Sequence, residues 1–384
     1  MEQDVPYFRL SAFYLFYFAS IGIFMPYWSV YLQSLNFSPA QIGELFAIPL
    51  ATKIYAPYLW GWLADHSGRH LTIIRWTTFA AMLAFMLVVS SKTFLSLAIT
   101  LSIYSFFWHA ALPQFEAVTI NHLGERRERY SRIRLWGSVG FIIAVTGIGY
   151  WLEHSGISVL QWVLLVALIG IWLASMLIPP VRESGGHQPH VSAIRQLRHP
   201  AVLGFLVACF LMQASHGPYY AFLSIYLKDH GYSATAIGQL WALGVVAEIG
   251  VFLLVHRWLL QVGAVRLFQL AILITAVRWV LLAEYVDVLS ILLLTQTLHA
   301  ASYGLFHASG IQLVNHFFPG KLQGRGQALY ASLSFGLGNA LGSLASGYLW
   351  TATSPETTYL IASVTCLAGF IVTLMFLPHR IAKL

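Results

Sequence analysis

Apolar positions in this chain neither alternate nor recur as narrow stripes; they run on. Phe8 to Leu32, Ile73 to Val89, Val159 to Ile178, Leu203 to Leu227 and Tyr359 to Leu377 are near or above the ~20 residues that carry a helix across a ~30 Å hydrocarbon layer. A transmembrane barrel would show ~10-residue alternating segments instead, and none appear. Short polar turns separate the runs, and the 384 residues divide into twelve spans. The pattern therefore predicts an all-α membrane protein of twelve transmembrane helices. The first run is too long for a cleaved leader and lacks a basic start and a small-residue cleavage site, so it counts as the first span.

Composition removes the soluble alternatives. Hydrophobic residues make up 58% of the chain and charged residues 9%, against roughly a quarter charged in ordinary soluble domains. The formal net charge of +7 would suit a nucleic-acid surface only if it were clustered on one face. Instead about 17 of the Lys and Arg fall in alternate short loops or at the helix ends beside them, among them Arg69, Arg126, Arg127, Arg129, Arg132, Arg182, Arg195 and Arg198. The opposite loops hold only Lys92 and Lys228. This positive-inside asymmetry predicts that both termini are cytoplasmic, and it makes the basic balance a matter of topology. The two cysteines, Cys209 and Cys366, lie within apolar runs and read as small buried hydrophobes.

The longest polar stretch, RESGGHQPHVSAIRQLRHP, runs from Arg182 to Pro200 and bisects the chain. It predicts a six-helix half over 1–181, a cytoplasmic linker over 182–199 and a second six-helix half over 200–384. The halves resemble one another. With an offset of 195 residues, Ser29 to Phe46 lies against Ser224 to Trp241, and seven of those 18 positions are identical, Tyr31/Tyr226, Ser38/Ser233 and Gly43/Gly238 included. Parallel halves with the solute held between them near the midplane are a known transporter plan.

After the second span comes GWLADHSGRH, Gly61 to His70. Gly61 permits close helix packing, Asp65 can accept hydrogen bonds, Gly68 supplies the turn and Arg69 a cytoplasmic charge. The segment resembles the loop signature of the major facilitator superfamily, which implies a fold of two pseudo-symmetric halves and a gating role for Gly61, Asp65, Gly68 and Arg69. The matching stretch of the second half, His256 to Arg266, keeps Gly263 and lacks the aspartate. Further segments, YSRIRLWGSVGF (130–141), IYLKDHGYSATAIGQLWALGVVAEI (225–249) and AVRWVLL (276–282), resemble the 3-phenylpropionate permease family, a relative of the lactose permease. That resemblance implies proton-coupled uptake of a small organic solute across a bacterial inner membrane.

A charged side chain at mid-membrane costs at least ~3 kcal/mol on insertion scales, so each one marks a site. Lys53, Glu116, Arg134, Glu248 and Arg278 are the deep charges. Glu116 and Arg134 each lie about nine residues from the turn near Gly124, roughly 13 Å deep on antiparallel neighbours, and so reach one level. They are a substrate-contacting pair or a salt bridge stapling two helices; in the first case the planar Arg134 fork suits a carboxylate. The pair resembles the sugar-binding acid and arginine of the lactose permease, and Glu248, Arg278 and His299 resemble an acid, an arginine and a histidine on its equivalent helices. The acid that carries the proton there should follow one turn after the histidine, where this chain has Ser302. Glu248 is therefore the first candidate for the proton carrier and Glu116 the second, these being the deep carboxylates. His109, His216, His299 and His307 also lie within spans, each a hydrogen-bonded packing residue or a substrate or proton contact; His216 and His299 are the first candidates for contact and join Glu116, Arg134 and Arg278 as the substrate-binding set. Lys53 and Glu248 coincide under the 195-residue offset.

No nucleophile–base pair, metal-ligand spacing or soluble domain supports an enzyme, and no cofactor is expected. The expected partners are a small organic solute, protons and the bilayer, with a monomer as the working unit. An efflux role and a neutral sugar or nucleoside substrate remain open at this stage. If 182–199 is a surface linker, insertions of a few residues near Gly185 to His187 should leave folding and uptake unchanged; insertions there that abolish membrane expression would sink the two-half division.

Overall fold

The computed structural model describes residues 5–180 and 194–377, and those residues are helical with no strand among them. The part of the expected linker over 181–193 lies outside the described residues. Among the described residues, ten helices are long and apolar enough to cross a membrane. They are α1 (Tyr7–Ser34), α3 (His70–Ser90), α4 (Phe94–Leu123), α5 (Arg127–Ser155), α6 (Ile157–Met176), α7 (Pro200–Asp229), α8 (Ala234–Val262), α9 (Ala264–Glu284), α10 (Leu289–Phe317) and α12 (Pro355–Phe376). Two less apolar helices, α2 (Pro39–Ser67) and α11 (323–352), complete the twelve. Helices are the solution that hydrocarbon imposes, because a backbone group left unpaired there costs several kcal/mol.

The chain forms two compact units. Unit 1 holds 5–37, 51–180 and Ser233–Gln239; unit 2 holds Ser38–Leu50, 194–232 and 240–377. Within unit 1, α1 packs on α5 and α6, while α3 packs on α4 and α6. Within unit 2, α7 packs on α11 and α12, while α9 packs on α10 and α12. The second set is the first displaced by six helices, which is the pseudo-symmetry that the duplicated sequence predicts.

Backbone contact through glycine ties each set together. A Cβ on Gly22 of α1 would lie 2.7 Å from the Phe141 carbonyl oxygen of α5, and one on Gly217 of α7 would run into the Gly342 backbone of α11. Gly22 and Gly217 are 195 residues apart, so both copies of the repeat use a glycine at one position for one purpose. The Gly43/Gly238 identity has a similar basis. Gly43, at the start of α2, lies against Gly347 of α11 within unit 2, and Gly238, at the start of α8, lies against the Val145 carbonyl of α5 within unit 1. Small residues let helix backbones approach where lipid offers no hydrophobic drive to hold them together.

Three helices depart from regular geometry. Pro218 has no N–H to give the Ala214 carbonyl, and α7 breaks at Ser215–His216 into Pro200–Ala214 and Gly217–Asp229. α10 is disturbed at Leu298 and passes through a π turn over Ala300–Leu305; α11 has another over Ser332–Gly338. All three lie in unit 2.

The close glycine contacts predict a stability pattern. Gly22→Ala and Gly217→Ala should each lower the melting temperature of the purified protein by several degrees, overpacking costing about 1–3 kcal/mol. Gly147→Ala and Gly250→Ala, where an added Cβ meets nothing within 4 Å, should leave it unchanged. Equal melting of all four variants would show that these approaches do not hold the units together.

Candidate functional site

In unit 1 the loop between α2 and α3 turns at Gly68, whose φ of +61° favours glycine. Asp65 is largely exposed, and its Oδ1 lies 3.5 Å from Nε2 of His70. Nδ1 of that imidazole is 2.7 Å from Oε1 of Gln114 on α4. Because Oε1 only accepts, Nδ1 carries the hydrogen. Gly61 leaves room for Gln114 as well, since a Cβ there would sit 3.4 Å from Nε2 of the amide. The loop is thus tied by one histidine to the helix that carries Glu116, two residues beyond Gln114. Arg69 precedes the first residue of α3.

Glu116 and Arg134 come together as their distances from the turn require, and each feels the other's charge. The Tyr130 hydroxyl hydrogen-bonds the Glu116 carboxyl. The Arg134 guanidinium lies 3.9 Å from the centroid of Phe18 and 5.6 Å from that of Tyr14, a cation–π setting. Gly137, one turn on, makes this posture possible: a Cβ there would sit 2.7 Å from the arginine's terminal nitrogen. The surroundings are aromatic, with Tyr17 stacked on Trp108 at 5.0 Å and Phe13 on Phe115 at 3.7 Å. His109 is buried beside Trp108, and Lys53 is half-buried in α2.

Unit 2 gathers Arg278, His216, His299 and Glu248. Arg278 on α9 is fully buried. Its Nε donates to the Thr295 carbonyl at 2.7 Å, and its guanidinium lies 4.2 Å from the Tyr219 ring and 4.7 Å from the Trp279 ring. Tyr219 donates to Gln296 Oε1 at 3.0 Å and stacks on His299 at 5.5 Å. Nε2 of His299 lies 4.0 Å from Glu248 Oε2 on α8, and a Cβ on Gly304 would lie 3.3 Å from Glu248 Cγ. His216 sits at the α7 break, with Nδ1 held by the Met212 carbonyl at 2.8 Å and Nε2 buried without a partner. Its ring meets the Trp279 edge at 5.0 Å, and Trp279 in turn donates to Ser215 at 3.1 Å. Along α10 the rings of His299, Tyr303 and His307 stack at 5.9 and 6.0 Å. Ser302 is buried, its hydroxyl donating to the Leu298 carbonyl.

Every deep charge named from the sequence therefore lies in a cluster except Lys53. Sequence reasoning missed His70, Gln114, Tyr130, Thr295, Gln296 and Trp279. The one signal available in advance was Pro218, which marks the α7 break and hence the neighbourhood of His216.

The chain is similar to known transporters over nearly its whole length. The family model described as MFS_1 like family matches residues 7–361. A probable 3-phenylpropionic acid transporter of Escherichia coli (strain K12) is 26% identical over 379 residues, covering 94% of this chain and 96% of that one. The maltose permease of Geobacillus stearothermophilus is 28% identical over 380 residues, covering 96% and 94%. Among solved structures, the nucleoside transporter NupG superposes with a TM-score of 0.84 at 16% identity, covering 98% of this chain and 100% of that chain. PepTSo of the POT family gives 0.77 at 13% identity, covering 98% of each. At such identities the structural likeness speaks for the fold.

If the α2–α3 loop is a conformational latch working through His70, Asp65→Ala and His70→Ala should each slow solute exchange several-fold with little change in apparent affinity. The double variant should be no slower than the slower single one, because both changes remove one coupled contact. Fully additive slowing, or a large loss of affinity, would take these residues out of gating.

Proposed function

We propose, from the premise that the chain belongs to the MFS_1-like family of membrane transporters, that it imports a small aromatic or related organic acid such as 3-phenylpropionate together with protons. The two six-helix halves, 1–181 and 200–384, alternate access about a central site. The protein works as a monomer in a bacterial inner membrane, with both termini in the cytoplasm.

The observation that carries this reading is the Glu248–His299 pair at 4.0 Å, its histidine buried in the same cluster as Arg278. A carboxyl and an imidazole at that separation in a largely water-excluded setting can pass a proton with a small movement. An acidic cargo fits the deep charges, because Lys53, Arg134 and Arg278 outnumber Glu116 and Glu248 by one. When a carboxyl takes up the coupling proton the excess grows, and an anion then offsets it. The name carried by the Escherichia coli relative favours an aromatic acid. Glu116, opposed by Arg134 and hydrogen-bonded by Tyr130, is the second candidate for the carrier.

A neutral sugar or nucleoside is the second reading. It is favoured by the aromatic rings that flank the Glu116–Arg134 pair, which suit a hydroxyl-bearing ring, and by the 28% identity to a maltose permease. Export of such solutes by the same cycle is the remaining variant.

The coupling proposal separates two activities. Glu248→Gln should abolish accumulation driven by a proton gradient while sparing exchange of solute already loaded in proteoliposomes. Exchange needs only the loaded carrier to reorient, whereas net uptake needs the empty carrier to return after releasing its proton. A Glu248→Gln protein that still concentrates solute would move the carrier elsewhere, with Glu116 next to be tested. Counterflow against arylalkanoates, sugars and nucleosides decides between the two substrate readings.

A further inference from the structure

The two deep arginines, Arg278 fully buried and Arg134 half-buried, are held differently. Arg134 faces the charge of Glu116, and its terminal nitrogen lies along its own helix in the space left by Gly137. Arg278 has neither feature. Its hydrogen bond of regular geometry runs from Nε, on the stem side, to the Thr295 carbonyl at 2.7 Å, and the Tyr219 hydroxyl lies within reach of the guanidinium. Both terminal nitrogens are buried and have no hydrogen-bond partner. The group is a complete cation with zero exposure, and a guanidinium's preferred partner is planar and two-pronged.

The surroundings fix the orientation of this fork. Tyr219 and Trp279 lie against the guanidinium at 4.2 and 4.7 Å, and each ring is tethered at its polar end, Tyr219 to Gln296 and Trp279 to Ser215. Rotation about the stem is blocked by the Nε bond, so the two free nitrogens present a fixed edge. His216 Nε2, also buried and unpartnered, belongs to the same ring cluster through Trp279. Glu248, the acid of this cluster, is engaged with His299.

We propose that the terminal nitrogens of Arg278 receive the carboxylate of the transported solute in a two-pronged ion pair. This rests on the organic-acid reading above and goes further, since it assigns the anion to Arg278 and leaves Arg134 to Glu116. A chloride ion meets a fork as a single point and would satisfy one nitrogen well; a carboxylate satisfies both. The fork is closed to solvent in this structure, so the carboxylate enters by a local shift. The flanking helices are suited to one: Pro218 removes one donor from the α7 ladder at the Ser215–His216 break, and α10 passes through a π turn over Ala300–Leu305. The bound pair would also remove an unpaired buried charge, so solute binding and closure of this cluster favour one another.

The test compares 3-phenylpropionate with its neutral analogue 3-phenyl-1-propanol on the purified full-length protein, by equilibrium binding. The wild type should prefer the acid by about tenfold or more, as charge-assisted bonds require. Arg278→Lys should lose most of that preference while keeping its affinity for the alcohol, and Arg134→Lys should retain the preference. Because Arg278→Lys can fail to fold, a second measurement uses Arg134→Lys, which leaves the proposed receptor intact. Carboxyl-13C-labelled 3-phenylpropionate bound to protein carrying guanidino-15N arginine should show dipolar contact between the labels in the wild type and in Arg134→Lys alike. Contact that vanishes in Arg134→Lys, or acid preference that survives in folded Arg278→Lys, overturns the assignment while the organic-acid reading stands. A wild type that shows no preference for the acid and instead binds sugars or nucleosides overturns both. Equal competition by chloride and acetate for the labelled acid would make the site an inorganic-anion site and likewise overturn the two-pronged assignment.

Discussion

Inside hydrocarbon a buried cation must be held by the groups packed around it, and the unit 2 cluster is organised around that requirement. The Thr295 carbonyl, close to the disturbed turn of α10, takes Nε of Arg278. That bond orients a buried cation. Tyr219, Gln296, His299 and Trp279 then pack around the guanidinium, and Glu248 is reached through His299. Without the Thr295 bond, Arg278 would have no stem-side anchor and its fork no fixed direction.

The two units answer the cost of a buried arginine by different means. In unit 1 the charge of Arg134 is opposed by Glu116 and spread over Phe18, a local arrangement close to self-sufficient. In unit 2 the rings are tethered but two nitrogens of Arg278 are left over. Removing a partner from a buried ion pair costs about 3–5 kcal/mol, so a persistent orphan is an expensive feature, and function is the common reason such features are kept. The α2–α3 loop pair lies nearer water: Asp65 is exposed and His70 half-buried, and their contact at 3.5 Å is weak enough to be made and broken in a cycle.

Glycine plays the complementary part. Gly22 and Gly217, like Gly43 and Gly238, stand 195 residues apart and let backbones meet. Seven identities in 18 positions were enough to announce a duplication, but their reason is steric: a Cβ at these places collides with main chain, which cannot move aside as a side chain can.

Much of this was legible in the chain itself. Run length set twelve helices because lipid thickness sets helix length, and the turn near Gly124 set the level of Glu116 and Arg134 because rise per residue is constant. The Gly61–His70 motif and the permease-like segments pointed to the family that the full-length match bears out. What tertiary structure alone decided is lateral and rotational: which face of α9 turns inward, which carbonyl of α10 meets Arg278, and that His70 reaches Gln114 on a helix 44 residues away. Periodicity gives depth along the membrane normal, whereas the partners of Arg278 depend on how α7, α9 and α10 pack side by side. That packing is fixed by glycine contacts and helix breaks distributed over more than a hundred residues, so no local segment encodes it.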